Sequence, residues 1–103
     1  MGPLMVSVII PTYNESRVIS SCLQSLQSQT VKDLEIIVVD DGSTDSTLSE
    51  ISNFKFQISN FVILRQNHNG PGVARNLAAK KAKGDILVFV DADMEFAPDF
   101  IEK

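Results

Sequence analysis

The stretch "IIVVDDGSTD", residues 36–45, decides how this chain is read. Four branched apolar residues lead directly into two adjacent carboxylates and then into a turn of small polar residues. An unbroken apolar run bounded by turn formers is the pattern of a strand buried on both faces. Asp40 and Asp41 repel each other, and a core has no use for them. Their place at the end of a buried strand points to something bound there that wants negative charge or acceptor oxygens.

The same pattern repeats along the chain. "MVSVII" (5–10), "EIIVV" (35–39), "FVILR" (61–65) and "ILVFV" (86–90) read as four short buried strands, the first stopped by Pro11. Helical stripes separate them. Val18, Ile19, Cys22, Leu23 and Leu26 share one face of a helix that starts near Asn14 or Glu15. Leu48, Ile51 and Phe54 mark a second helix, opened by the cap formers of Ser43 to Thr47. Val73, Ala74, Leu77, Ala78 and Ala82 mark a third, with Pro71 near its start and Gly84 as its cap. "APDFIEK" (97–103) reads as the first turn of a further helix.

Strand–helix alternation with continuously apolar strands predicts an α/β fold of three layers, Rossmann-like, with a mostly parallel sheet between helices. Right-handed crossovers favour the doubly wound order 3-2-1-4. In that order "PTYNE" (11–15), "DDGSTD" (40–45) and "DADM" (91–94) meet at the carboxyl ends of neighbouring strands, where such sheets bind ligands.

Composition narrows the function classes. The 103 residues suit one domain, 1–103, and the 44% hydrophobic and 21% charged content is ordinary for a globular protein. The net charge of −4, from 9 basic and 13 acidic residues with no basic run, argues against nucleic acid as a partner. Cys22 is the only cysteine, so no intrachain disulfide forms, which suits a reducing, cytoplasmic setting. Its place in "VISSCLQSL" makes it a small buried hydrophobe rather than a nucleophile. There is neither a membrane-length apolar run nor a signal-peptide pattern at the start.

Several residues carry candidate chemistry. Asp91 and Asp93 project the same way if the loop after the fourth strand is extended, and two carboxylates suit a hard divalent cation, Mg²⁺ or Mn²⁺, completed by phosphate and water. A bland turn rich in Asp is the competing reading. A carboxylate such as Asp40 or Asp41 can accept the N3–H of uracil but offers nothing to the bare N3 of cytosine, while Tyr13 can lay its ring against a base. One of the two also suits a cap for the second helix. Arg75 either pairs with Asp41 or reaches a ligand oxygen. His68 reads as a solvated loop residue.

Gly70-Pro71-Gly72, after a strand and before a helix, with an acid ~20 residues on at Asp91, imitates a dinucleotide fingerprint. Arg75 stands where the third glycine belongs, and Pro71 removes a backbone donor from the loop that would cradle the pyrophosphate. A dinucleotide-binding domain is therefore a distant alternative, behind a non-catalytic binding or interaction module.

Taken together, "VSVIIPTYNE" (6–15), "LQSQT" (26–30), "EIIVVDDGSTDST" (35–47), "NGPGVARN" (69–76) and "GDILVFVDADM" (84–94) resemble the N-terminal, nucleotide-binding half of an inverting family 2 glycosyltransferase of GT-A fold. The resemblance covers nearly the whole chain. It implies that Pro11, Thr12 and Tyr13 line a base pocket, with Tyr13 stacked on the base. It implies that Asp41 reads the base with Asp40 beside it, paired in part with Arg75, and that Glu15 and Arg75 lie near the nucleotide. Asp93 would then be the metal ligand and Asp91 a ribose or metal-water contact. The implied partner is a nucleotide-diphosphate sugar, with a uracil base favoured, and the implied cofactor is Mn²⁺ or Mg²⁺. In that family the acceptor site and general base follow the D-x-D. The expectation is therefore nucleotide and metal binding without transfer by this chain alone, and self-association through apolar surface where a second half would pack.

Overall fold

The computed structural model of the chain describes residues 5–29, 33–54 and 60–97. The order is β1 (Val6–Thr12), α1 (Ile19–Gln27), β2 (Leu34–Asp40), α2 (Thr47–Ser52), β3 (Phe61–Arg65), α3 (Pro71–Lys81) and β4 (Ile86–Phe89). The four strands form one sheet in the order β3-β2-β1-β4, with every pair parallel, as the alternation predicts. The helical start expected after Ala97, like Thr30 of "LQSQT", lies outside the described residues.

Side-chain alternation divides the strands between two cores. Val8, Ile10, Ile36 and Val38 pack with Ile19, Cys22, Leu23 and Leu26 of α1 and Ile51 of α2. On the opposite face Ile9, Ile37 and Val39 meet Ala74 and Ala78 of α3. The small alanines let α3 lie close to β1 and β2, at the centre of the sheet.

β1 runs two residues past its expected end because Pro11 costs no ladder hydrogen bond. Ile9 O accepts from Val90 N at 3.0 Å and Thr12 O from Asp41 N at 2.9 Å, so odd residues of β1 face β4 and even residues face β2. Pro11 falls on the β4 side, beyond the last pair, Ile9↔Phe89, so its missing N–H interrupts nothing in the β1–β2 ladder. α1 starts later than periodicity suggests. Asn14 has φ 51°, a left-handed conformation that no helix interior tolerates, and one turn closed by Val18 N and Ile19 N on Glu15 O precedes the helix. Val73, placed on the buried stripe of α3 by spacing, is 49% exposed.

β4 differs most from its sequence pattern. It pairs with β1 along one edge only, and Ile86, Leu87 and Phe89 are 44%, 38% and 49% exposed. A continuous apolar run therefore does not by itself mean burial on both faces. Among the described residues, no helix is long and apolar enough to cross a membrane.

Gly84 does not act as a helix cap. α3 ends at Lys81 with Ala82 extended (φ −66°, ψ 138°), and Gly84 instead packs against β1. Its N–H donates to Ser7 Oγ at 2.8 Å, Ser7 Oγ donates to buried Glu35 Oε1 at 2.8 Å, and Lys83 N donates to the same oxygen at 2.8 Å. A Cβ on Gly84 would sit 2.6 Å from Ser7 N and 3.0 Å from Met5 O, both backbone atoms that cannot yield cheaply. Gly84→Ala is therefore expected to cost about 1–3 kcal/mol in denaturant unfolding. Gly72→Ala, in α3 with open space around it, is expected to be neutral or to gain up to about 1 kcal/mol.

Candidate functional site

All four strands run parallel, so their carboxyl ends share one edge of the sheet, and the loops there are tied to one another by side chains. Asn14 organises the first tie. Its Oδ1 accepts from Thr44 N (2.8 Å) and Asp45 N (3.3 Å), while its own N–H donates to Ser43 Oγ (2.9 Å). Asparagine tolerates the left-handed backbone while its short side chain reaches a neighbouring loop. Glu15 N donates to Thr47 Oγ1 at 2.9 Å, and the Thr47 amide and hydroxyl both donate to Asp45 Oδ1. Asp45, rather than Asp40 or Asp41, therefore serves the start of α2. These hydrogen bonds hold the Asp45 carboxyl below its ordinary range against a smaller opposing desolvation.

The two acids of the opening stretch part company. Asp40, the last residue of β2, follows Ile36 and Val38 onto the face covered by α1 and α2 and is fully buried. Arg65, its register partner on β3, brings Nε to 3.4 Å from Asp40 Oδ2. Asp40 does not line the cleft described below, so the structure separates it from the base-reading group in which the sequence placed it.

Asp41 is 3% exposed and turns to the β3–α3 loop. Oδ1 accepts from Gln66 Nε2 at 2.7 Å and Asn69 N at 2.8 Å. Oδ2 accepts from Gly70 N at 3.1 Å and faces His68 Nδ1 at 3.0 Å. Desolvation pushes this carboxyl up, but the donors from Gln66, Asn69 and Gly70, with the His68 charge, outweigh it and hold the pKa below its ordinary 3.8. Its partner is not Arg75, as the sequence suggested. The Arg75 guanidinium lies instead 3.9 Å from Asp91 Oδ1. The sequence also missed His68, whose ring stacks on Tyr13 with centroids 4.0 Å apart and planes at 29°. No spacing rule links residues 13, 41 and 68; only the strand order brings them together.

A cleft of ≈ 330 Å³ opens at this edge. Pro11, Thr12, Tyr13 and Glu15 from the end of β1 line one side and Asp41 the next. Pro71 and Arg75 at the start of α3, with Asp91, Ala92 and Asp93 after β4, complete it. Every candidate residue except Asp40 is thus brought to one place.

The D-x-D geometry differs from the extended loop expected. Met94 N donates to Asp91 O at 3.1 Å, so residues 91–94 form a turn that buries Ala92 while Asp91 and Asp93 remain exposed beside the cleft. Two exposed carboxylates of this kind fit a hard divalent cation. Burial, then the negative charges of Asp93 and Asp91, raises the Glu15 carboxyl above its usual value against hydrogen bonds from Tyr13 N and the Thr12 hydroxyl. A cation would relieve that mutual repulsion. Among the described residues no three His, Cys, Asp or Glu side chains are grouped to hold a metal by themselves, so a ligand's oxygens would have to complete the shell. Cys22 lies under this turn, fully buried, its thiol pushed up to about 12 by desolvation and the nearby acids, which removes it as a nucleophile.

Comparison with known proteins gives this arrangement a family. The chain is 46% identical over 94 residues to a poly(ribitol-phosphate) beta-glucosyltransferase of Bacillus spizizenii, covering 87% of this chain and 15% of that protein. It is 41% identical over 100 residues to the poly(ribitol-phosphate) beta-N-acetylglucosaminyltransferase TarS of Staphylococcus aureus, covering 94% of this chain and 17% of that one. The chain thus spans less than a fifth of the length of these two relatives. The crystal structure of S. aureus TarS in complex with UDP-GlcNAc superposes with a TM-score of 0.89 at 36% identity, covering 96% of this chain and 29% of that one. A mannosyltransferase from Pyrobaculum calidifontis in complex with GDP-Man and Mn²⁺ gives 0.86 at 33% identity, covering 92% and 29%. The profile of glycosyl transferase family 2 matches residues 7–103, and with these relatives and this sheet the chain belongs to that family of glycosyltransferases, with the GT-A fold.

Proposed function

We propose that the cleft binds the nucleoside diphosphate of a nucleotide sugar together with a divalent cation, so that the sugar can pass to an acceptor hydroxyl. The observation that carries this reading is the convergence of Tyr13, Asp41, Arg75, Asp91 and Asp93 on one cleft at the carboxyl edge of a parallel sheet. In this reading Pro11, Thr12 and Tyr13 receive the base and Asp41 accepts its ring N–H. Uracil and guanine both carry such an N–H between carbonyl or amino groups, and structural neighbours are solved with UDP-GlcNAc and with GDP-Man. Cytosine lacks it.

Asp91 and Asp93 would hold the cation, and Arg75 and Glu15 would border the ribose and diphosphate. When bound, the cation neutralises the diphosphate and stabilises it as a leaving group. The acceptor oxygen forms its bond to the anomeric carbon as the bond to the diphosphate oxygen breaks. The diphosphate departs with the electron pair, and the hydroxyl proton passes to a base that we do not assign to any described residue. Asp41 contributes by staying ionised: its lowered pKa keeps it an acceptor at neutral and mildly acid pH.

Calorimetric titration with UDP, with and without Mn²⁺, tests the proposal. Binding is expected only with the metal, and Asp93→Ala is expected to weaken it roughly tenfold or more. A folded protein that ignores UDP under every condition sinks the reading. Stability gives a second expectation. Because folding lowers the Asp41 pKa, its contribution is fully present above the ordinary value of 3.8 and is lost as pH falls through the lowered one. Asp41→Asn is therefore expected to flatten the acid limb of a stability–pH curve measured by urea unfolding, and an unchanged limb would refute the linkage.

A further inference from the structure

Asp41 is crowded by three hydrogen bonds and one ion-pair contact. An ionised carboxylate offers about four lone-pair positions. Gln66 Nε2 and Asn69 N occupy those of Oδ1, while Gly70 N and His68 Nδ1 meet Oδ2. Three of these contacts are hydrogen bonds and the fourth, from His68, is an ion-pair contact, so a base N–H gains room at the carboxylate when one of the four groups withdraws.

The four are not equally free to leave. Asn69 N and Gly70 N are backbone groups at the entry to α3, and Gly70 holds a left-handed backbone there (φ 93°). Gln66 Nε2 is part-buried and also donates to Gly70 O at 3.3 Å. His68 is different. Its side chain is 61% exposed, it sits on a loop, and rotation about its own side-chain bonds releases it without moving backbone. The same rotation uncovers the face of Tyr13 on which its ring now lies. His68 itself belongs to the adjoining groove formed with Gly42, Arg65 and Asn67, which has room to receive the ring.

We infer that His68 is a displaceable stand-in for the base: it occupies the second oxygen of Asp41 and one face of Tyr13 in the free protein, and it swings away when a nucleotide enters. The inference rests on the proposed reading that Asp41 receives the base. In energetic terms the closed arrangement lowers the apparent affinity by the fraction of molecules in which the site is open. His68 thereby sets how strongly the site discriminates a ligand that carries a base from a bare diphosphate, because only the former must displace it.

The test is a titration of the full chain and of His68→Ala with UDP and, separately, with inorganic pyrophosphate, both with Mn²⁺. The variant is expected to bind UDP roughly fivefold more tightly, the gain from removing one exposed competing contact, with pyrophosphate binding unchanged. In proton NMR of the unsubstituted chain, the His68 ring signals should leave the ring-current field of Tyr13 as UDP is added. A fixed supporting wall behaves in the opposite way. If UDP binds but His68→Ala weakens or does not alter its affinity, or the His68 signals stay where they are, the inference falls while the proposed function stands. An equal gain for pyrophosphate also overturns it, because the effect would then not concern the base. If UDP binds neither protein, the proposed function falls and takes the inference with it.

Discussion

The carboxylate of Asp41 is the point on which the candidate site is assembled. Its backbone N–H extends the β1–β2 ladder by donating to Thr12 O, and its side chain gathers Gln66, Asn69 and Gly70 from the β3–α3 loop. Hydrogen bonds to an ionised group contribute roughly 1.5–3 kcal/mol each, about twice a neutral one. Several donors converging on one almost fully buried acid outweigh its desolvation, as its lowered pKa reports. Without them, the acid would be an unpaired buried charge and the loop would lose its anchor. The position of α3, and so of Pro71 and Arg75 on the cleft wall, depends on this contact.

A second set of ties works from the other side. Asn14 spans from the β1 loop to Thr44 and Asp45, and Asp45 passes the connection to Thr47 at the start of α2. The loops after β1, β2 and β3 thereby behave as one hydrogen-bonded rim. The segment after β4 is tied to the α1 side, where Gln29 Nε2 donates to Ala97 O at 2.7 Å. Its turn buries Ala92 against the core and leaves Asp91 and Asp93 exposed, with Arg75 at 3.9 Å from Asp91. In the proposed reading these parts divide the labour: the rim holds Asp41 in place for a base that displaces His68, and the open carboxylates await a cation and its phosphates.

The opposite end of the sheet is built for stability. Buried Ser7 and Glu35, with the backbone of Lys83 and Gly84, form a polar network that ties the end of the α3–β4 connection to β1 and β2. Gly84 is there because backbone comes within contact distance, not because the helix needs a left-handed cap. The glycine was visible in the sequence, but its purpose depended on which strand lay across from it.

The local pattern of the sequence was enough to determine the strand and helix order, the parallel sheet, and the gathering of residues 11–15, 40–45 and 91–94 at one edge. Each follows from short-range rules: unbroken apolar runs, helical spacing, and the handedness of crossovers. The motifs also carried the family, since they occur in order across nearly the whole chain. What only the tertiary structure decided is which partner each polar group takes. Neighbours in sequence, Asp40 and Asp41, end on different partners because consecutive residues at a strand end face opposite sides of the sheet. Arg75 goes to Asp91 and His68 to both Asp41 and Tyr13 because strand order, not chain distance, sets those approaches. The exposure of β4 was hidden for the same reason: an apolar run reports what a strand can bury, while what the fold lays over its faces decides what it does bury, so the two edge strands β3 and β4 differ in exposure.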